Sequence, residues 1–256
     1  MKDIEYVLDF ATELGREMLE AGANIERVNL SIELICKTYN LSEISLFSLN
    51  SHILLAAKDS SGYYASRQVS VPINAIRLER LRQLNNLSYR VAREKPAPSD
   101  LQDLLYSSLM VKDYPDGILL LSYVVAMTCL CRLFQGVWQD IVVADISTVA
   151  LFFITKALSK QKLNRIVNNL VCMFTACVIA LFFTYIGFAQ NFFAIIITNA
   201  FYLIPGVQMV NAFRNILCGN EMNGIIEMLK VILEVVTICA GLFVAYFFFG
   251  QWLIAW

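Results

Sequence analysis

Between Gly117 and Trp256 the chain offers 140 residues of which only 12 are charged, set in near-continuous Leu, Ile, Val, Phe, Ala and Cys. A bilayer core takes about 20 apolar residues per helix, and only helices or closed barrels satisfy their backbone there, so this half predicts a bundle of membrane-spanning helices. Five runs reach or approach that length: residues 117–134, 138–157, 167–187, 192–204 with a continuation beyond, and 225–249. The fourth is interrupted by Pro205 and Gly206, inside the stretch 195–224. Proline removes a backbone donor and clashes with the preceding turn, so a discontinuous helix is expected there. Its freed backbone groups must be buried in protein or line a wet cavity. A helix that ends at the membrane surface before a Pro-Gly turn fits the same residues.

The remaining 29 of the 41 charged residues fall in residues 1–116, as 13 basic and 16 acidic side chains. This part has the mix of an ordinary soluble domain, so the expected organisation is an α+β domain over 1–116 followed by an all-α polytopic membrane domain of five transmembrane helices over 117–256. Ile4, Val7, Ala11, Leu14 and Met18 recur at helical spacing. After a break at Ala21 to Asn24, with Asn24 as the expected N-cap, Ile25, Val28, Ile32, Ile35 and Tyr39 form a second stripe. Residues 44–49, 53–57 and 63–71 read as strands, the last two joined by a turn at Asp59-Ser60-Ser61-Gly62. A helix over 74–93 follows, carrying Ile76, Leu81, Leu84, Leu87 and Val91. Another comes after Pro96 and Pro98, with Ser99 and Gln102 spaced as a capping box. A net charge of −1 offers no basic face for a phosphate backbone, which excludes nucleic acid as a partner. The acidic start M-K-D-I-E-Y lacks an apolar h-region, so no cleaved signal peptide is expected.

Loop charges set an expected orientation. Lys156, Lys160, Lys162 and Arg165 cluster after the second run with no acid, which the positive-inside rule places in the cytoplasm. The turns at Gln135-Gly136 and 187–191 carry no basic residue and suit the outside. The amino-terminal domain and the Arg214 loop are then cytoplasmic and the tail 251–256 is external. Trp138, Trp252 and Trp256 fit an interfacial aromatic belt.

Ionisable residues inside apolar runs cost about 2.5–3.5 kcal/mol each to insert, so they are the first functional candidates. Asp145 lies near the middle of the second run. Glu227, Lys230 and Glu234 share one face of the fifth, with Glu234 deepest, and Glu227 with Lys230 suits an end-of-helix pair. Arg132 and Asp140 lie at facing ends of the first two runs and are expected to form a structural ion pair. Asp145 and Glu234 are read as proton-coupling or substrate-site residues, with Asn199 beside the break as an uncharged hydrogen-bonding candidate and Pro205 and Gly206 as the break itself. Lys230 and Arg132 are the basic residues available to an anionic substrate. The seven cysteines form no C-x-x-C pair and the single histidine, His52, has no cysteine beside it, so neither a metal nor a cofactor is expected.

Short motifs in a definite order carry a family resemblance: G-A-N-I-E-R-V at the second helix, S-L-N-S-H-I at the strands, Ser66-Arg67 ahead of Asn74, L-F-Q-G-V-W-Q-D, L-I-P-G, and Asn223-Gly224. Over essentially its whole length the chain resembles the threonine/serine exporter family. Fused members carry a second membrane module, absent here, so the resemblance implies the larger subunit of the split, two-component form (the YjjP type). That form works with a small membrane partner of the YjjB type and leaves room for a homo-oligomer. It further implies export across the cell inner membrane of small hydrophilic metabolites, threonine and serine or dicarboxylates such as succinate, and no enzyme activity. Gln135-Gly136 stands where the family often has paired glycines. Two other readings of residues 1–116 exist. A membrane-tethered hydrolase would draw on Ser48, Ser51 and His52, but no G-x-S-x-G elbow is present, and neighbours on a strand point to opposite faces. A metabolite-sensing domain that gates the membrane part is the other.

Overall fold

The computed structural model describes residues 3–49, 51–71, 77–110, 114–161 and 164–250. The expected helix start at Asn74 with Ile76, the basic Lys162, and the tail 251–256 with Trp252 and Trp256 lie outside the described residues. The described residues are mainly helical, with one small sheet among them. It divides into two compact units, residues 1–112 with 210–227, and residues 113–209 with 228–256.

The first unit contains α1 (Asp3–Glu20), α2 (Ile25–Thr38), β1 (Ser42–Leu49), β2 (His52–Lys58), β3 (Tyr64–Ser70), α3 (Leu78–Glu94), a 3-10 turn at Pro98–Asp100 and α4 (Leu101–Leu109). The strands form an antiparallel meander in sequence order. Asp59 builds the β2–β3 turn by accepting from the backbone N–H of Ser61 and Tyr63 at 2.8 and 2.9 Å, with Gly62 supplying φ +86°. Every apolar residue of the first helical stripe is buried, and Phe10, Leu14, Ile32, Ile53, Leu84, Leu101 and Leu105 have no exposed surface in one shared core. Gly15 makes room for it: a Cβ there would stand 2.7 Å from Ile32 Cδ1 and 2.9 Å from Ile53 Cδ1. Cys36 is buried in this core, and desolvation, aided by the charge of Glu33, pushes its thiol up to about 12.

Two expected caps are not made. Asn24 has the extended N-cap backbone of α2, but its side chain makes no cap bond and its Nδ2 is buried without a partner. Ser99 donates to Asp100 at 2.9 Å, because the Pro98–Asp100 turn places α4's start one residue later than a Ser99 cap requires.

The second unit contains α5 (Asp116–Leu133), α6 (Trp138–Lys160), α7 (Arg165–Tyr185), α8 (Phe192–Leu203), and parts of α9 (Gly206–Leu217) and α10 (Glu221–Phe249). Among the described residues, α5, α6, α7 and α10 are long and apolar enough to cross a membrane. The α8–α9 pair qualifies jointly but bends by 57° at Ile204-Pro205. The helix thus breaks at Pro205, a geometry that fits both one bent span and a span that ends ahead of a Pro-Gly turn. Pro205 offers no N–H to Phe201 O, and Gly206 N turns to Ile204 O at 2.9 Å, so two carbonyls of α8 lose their usual donors.

The first unit is discontinuous in sequence, because the chain returns to it after α8. Asn211 Nδ2 lies 3.4 Å from Gly22 O, Arg214 reaches Glu26 at 3.2 Å, and Asn223 Nδ2 donates to Ser48 O at 2.9 Å. Gly224 lets α9 and α10 close on each other: a Cβ there would stand 2.7 Å from Ala212 O and 2.9 Å from Ile216 N. Gly22 and Glu26 thus meet α9, and Ser48 meets Asn223, at residues scattered in sequence.

Candidate functional site

Asp140 sets the frame of the second unit. It is fully buried, and its carboxylate accepts from Val137 N at 3.0 Å, Gln190 N at 2.8 Å and Asn191 N at 3.0 Å. The α5–α6 turn and the α7–α8 turn are thereby tied together. The expected Arg132–Asp140 ion pair is not formed: Arg132, at the C-terminal end of α5, donates to Gly136 O at 3.3 Å. Three amide donors satisfy a buried carboxylate without burying a second charge, and a cation at a helix C-terminus finds free carbonyls there. Gln135 takes φ +63°, the conformation glycine adopts freely, and a Cβ on Gly136 would stand 2.6 Å from Cys131 Sγ.

Because Asp140 holds α6 and α8 level at that end, depths along the two helices can be compared. At a rise of 1.5 Å per residue, Asp145 and Asn199 lie roughly 8 and 12 Å along from the shared end. Asp145 is half-buried and its carboxylate accepts one hydroxyl, Thr128 Oγ1 of α5, at 2.9 and 3.1 Å. Asn199 is fully buried; its Nδ2 donates to Ile195 O at 3.0 Å and its Oδ1 has no partner. Ser147, Thr148 and Thr198 are fully buried in the same layer and give their hydroxyl protons to carbonyls of their own helices at 2.7–2.9 Å. They present lone pairs only. Thr198 also adjoins the Cys131 thiol of α5. By the helical rise, Asp145 and Asn199 differ in depth by roughly 4 Å, and Asn199 lies six residues ahead of Pro205.

Glu234 is elsewhere. It is buried on α10 at the level of α7's first turns, with Arg165 Nε 3.2 Å from Oε2 but off the hydrogen-bond direction. The Asn169 amide lies alongside, its buried Nδ2 unpartnered. Further along, Gly241 brings α10 against Leu170 to Phe174, and Phe249 stacks edge-on with Phe174, so α7 and α10 run in the same sense. The helix that carries Glu234 begins at Glu221, and its residues 221–227 belong to the first unit. Lys230 is exposed, Glu227 accepts from Asn215 at 2.9 Å, Pro205 is buried and Gly206 exposed.

In the first unit, His52 Nδ1 lies 3.0 Å from Ser51 Oγ. The strand-alternation argument against that contact fails because Ser51 is in the turn, ahead of β2. Both groups are on the surface, and Ser48 is buried with its hydroxyl unpartnered. Among the described residues no cluster fit to hold a metal exists.

Sequence reasoning did not single out Ser147, Thr148, Thr198, Asn169 or the pairing of Arg165 with Glu234. Serine and threonine at bilayer depth usually bond back to their own helix and so attract no notice. Their signal is positional: Ser147-Thr148 and Thr198-Asn199 are polar pairs inside apolar runs.

A family model described as "Putative threonine/serine exporter" matches residues 9–249. The chain is 21% identical over 209 residues to the "Probable succinate transporter subunit YjjP" of Klebsiella aerogenes, which covers 80% of this chain and 79% of that relative. No solved structure matches the chain.

Proposed function

Given that the chain belongs to the threonine/serine exporter family, we propose that it is the larger subunit of a secondary-active, proton-coupled exporter of small hydrophilic metabolites. It is a multi-pass membrane protein of a transport family. In this reading the membrane is the cell inner membrane, and α8 with α9 forms one broken span, making five. The domain carrying the sheet is cytoplasmic and soluble in character, and the C-terminus is external. The relative's name as a subunit supports a partner, which the reading takes to be a small membrane protein of the YjjB type. Substrates are amino acids such as threonine and serine, or dicarboxylates such as succinate.

The observation that carries it is the pairing of half-buried Asp145 with a single hydroxyl, together with the buried, unpartnered Asn199 Oδ1 on the helix that ends ahead of Pro205. Unsatisfied acceptors in an apolar setting are costly to keep unless a hydrophilic cargo or a proton occupies them in part of a cycle. An ionised Asp145 accepts from Thr128; a protonated one becomes a donor, and the change biases one state of the bundle over the other. The break leaves backbone carbonyls to receive substrate donors. Arg132 and Lys230 lie beyond the layer and act on entering or leaving anions, and Glu234 with Arg165 is a second charge pair that a cycle can open.

Proteoliposomes holding both subunits, loaded with labelled threonine or succinate, test this directly. A pH gradient is expected to drive efflux of one or both. No flux of either overturns the reading.

A further inference from the structure

The first unit holds a cleft of about 340 Å³ between α1, β3 and α4, at the small end of the range for small-molecule sites. Its walls are polar: Asp9, Glu13, Arg67, Gln102 and Tyr106 face it. Arg67 is clamped to Asp9 through Nε, and Nη2 reaches the second carboxylate oxygen at 3.5 Å, while Nη1 donates to Ser66 O at 3.2 Å. A guanidinium has five N–H groups, so two remain, one on each terminal nitrogen. Glu13 receives Arg16 at 2.5 and 3.0 Å and keeps lone pairs on both oxygens. Gln102 Oε1 is buried and has no donor.

We infer that this cleft is a binding site for a small zwitterion bearing one ammonium and one carboxylate, an α-amino acid, separate from the transport layer. The free N–H groups of Arg67 match a carboxylate, and Gln102 Oε1 with Glu13 matches an ammonium. A dicarboxylate brings a second negative charge against Asp9 and Glu13. A dication meets Arg67 and lacks the anion that its free donors require. Only a ligand with both signs leaves neither set unmatched. The site is independent of the export reading. Its position, on the helix whose far end leads to Gly22 and the contact with Asn211, gives it a route to the α9–α10 segment.

Calorimetry on the full-length protein in detergent, with L-threonine, succinate and putrescine as separate probes, tests the assignment. L-threonine is expected to bind saturably, and succinate and putrescine at least about tenfold more weakly, about 1.4 kcal/mol. Gln102→Leu and Arg67→Gln are each expected to weaken L-threonine binding at least tenfold, while Arg90→Gln, on the exposed face of α3, leaves it unchanged. Arg67→Gln also cuts the tie between α1 and β3, so Gln102→Leu and Tyr106→Phe, with unchanged melting, are the deciding variants should it fail to fold. The assignment falls if L-threonine does not bind, if succinate is preferred, or if binding survives both folded cleft variants. Absence of flux in proteoliposomes with binding intact would overturn the export reading and leave this one standing.

Discussion

The two units treat a buried carboxylate differently. In the first, Glu17 is 2% exposed and sits between two guanidinium groups, Arg16 and Arg80. In the second, Asp140 is equally buried but takes three backbone amides and no cation, and Asp145, five residues on, takes a single hydroxyl. Near a polar surface a second charge is cheap to bring in. In an apolar bundle it is another ion to desolvate, so peptide dipoles replace it. Against that rule Asp145 is the acid left short, which is why the proposed reading gives it the acting role.

Four measurements would break or sharpen this contrast. Asp140→Ala strands three amide donors and unties two turns, and is expected to cost about 3–5 kcal/mol, read as a large loss of melting temperature or of folded yield in detergent. Asp145→Asn keeps the size of the side chain and its bond to Thr128. Flux is expected to fall roughly 5–150-fold, the span of a 1–3 kcal/mol coupling, with stability held to within about 1 kcal/mol. Unfolding of this variant would make Asp145 structural, like Asp140. For the half-exposed Arg165, a double-mutant cycle with Glu234 is expected to give a coupling of about 1 kcal/mol. Within it, Arg165→Gln should destabilise more than Glu234→Gln, because it leaves a buried charge unpaired. Smallest is Gln135→Gly: relief of the left-handed conformation offsets added chain entropy, and a net gain of about 0.5 kcal/mol should appear in thermal melts.

Elements with a period or a length were readable from the residues. The α1 stripe, the Asp59 turn, the apolar helices and the break at Pro205 all follow from local rules. What failed was pairing at a distance. Asp140 ignores Arg132, eight positions away, for amides 50 and 51 positions away, and Glu234 meets Arg165, a cation 69 positions away that the sequence presents only as part of a loop-charge cluster. Asn24 has a cap's backbone without a cap's bond, since burial left its side chain elsewhere. Nor does any residue type announce that 210–227 fold with the amino-terminal core; only Asn211, Arg214 and Asn223 reaching Gly22, Glu26 and Ser48 reveal it.

That last arrangement governs how the protein must be born. Residues 1–112 leave the ribosome first, yet the pieces that complete their unit come about a hundred residues later, after the apolar helices α5 to α8. At roughly 5–20 residues per second, the early part waits on the order of 10 seconds with its docking surface around Gly22 and Ser48 uncovered. Insertion and domain completion are therefore a single assembly event, and a chain that stalls between them presents an unfinished surface to the quality-control machinery.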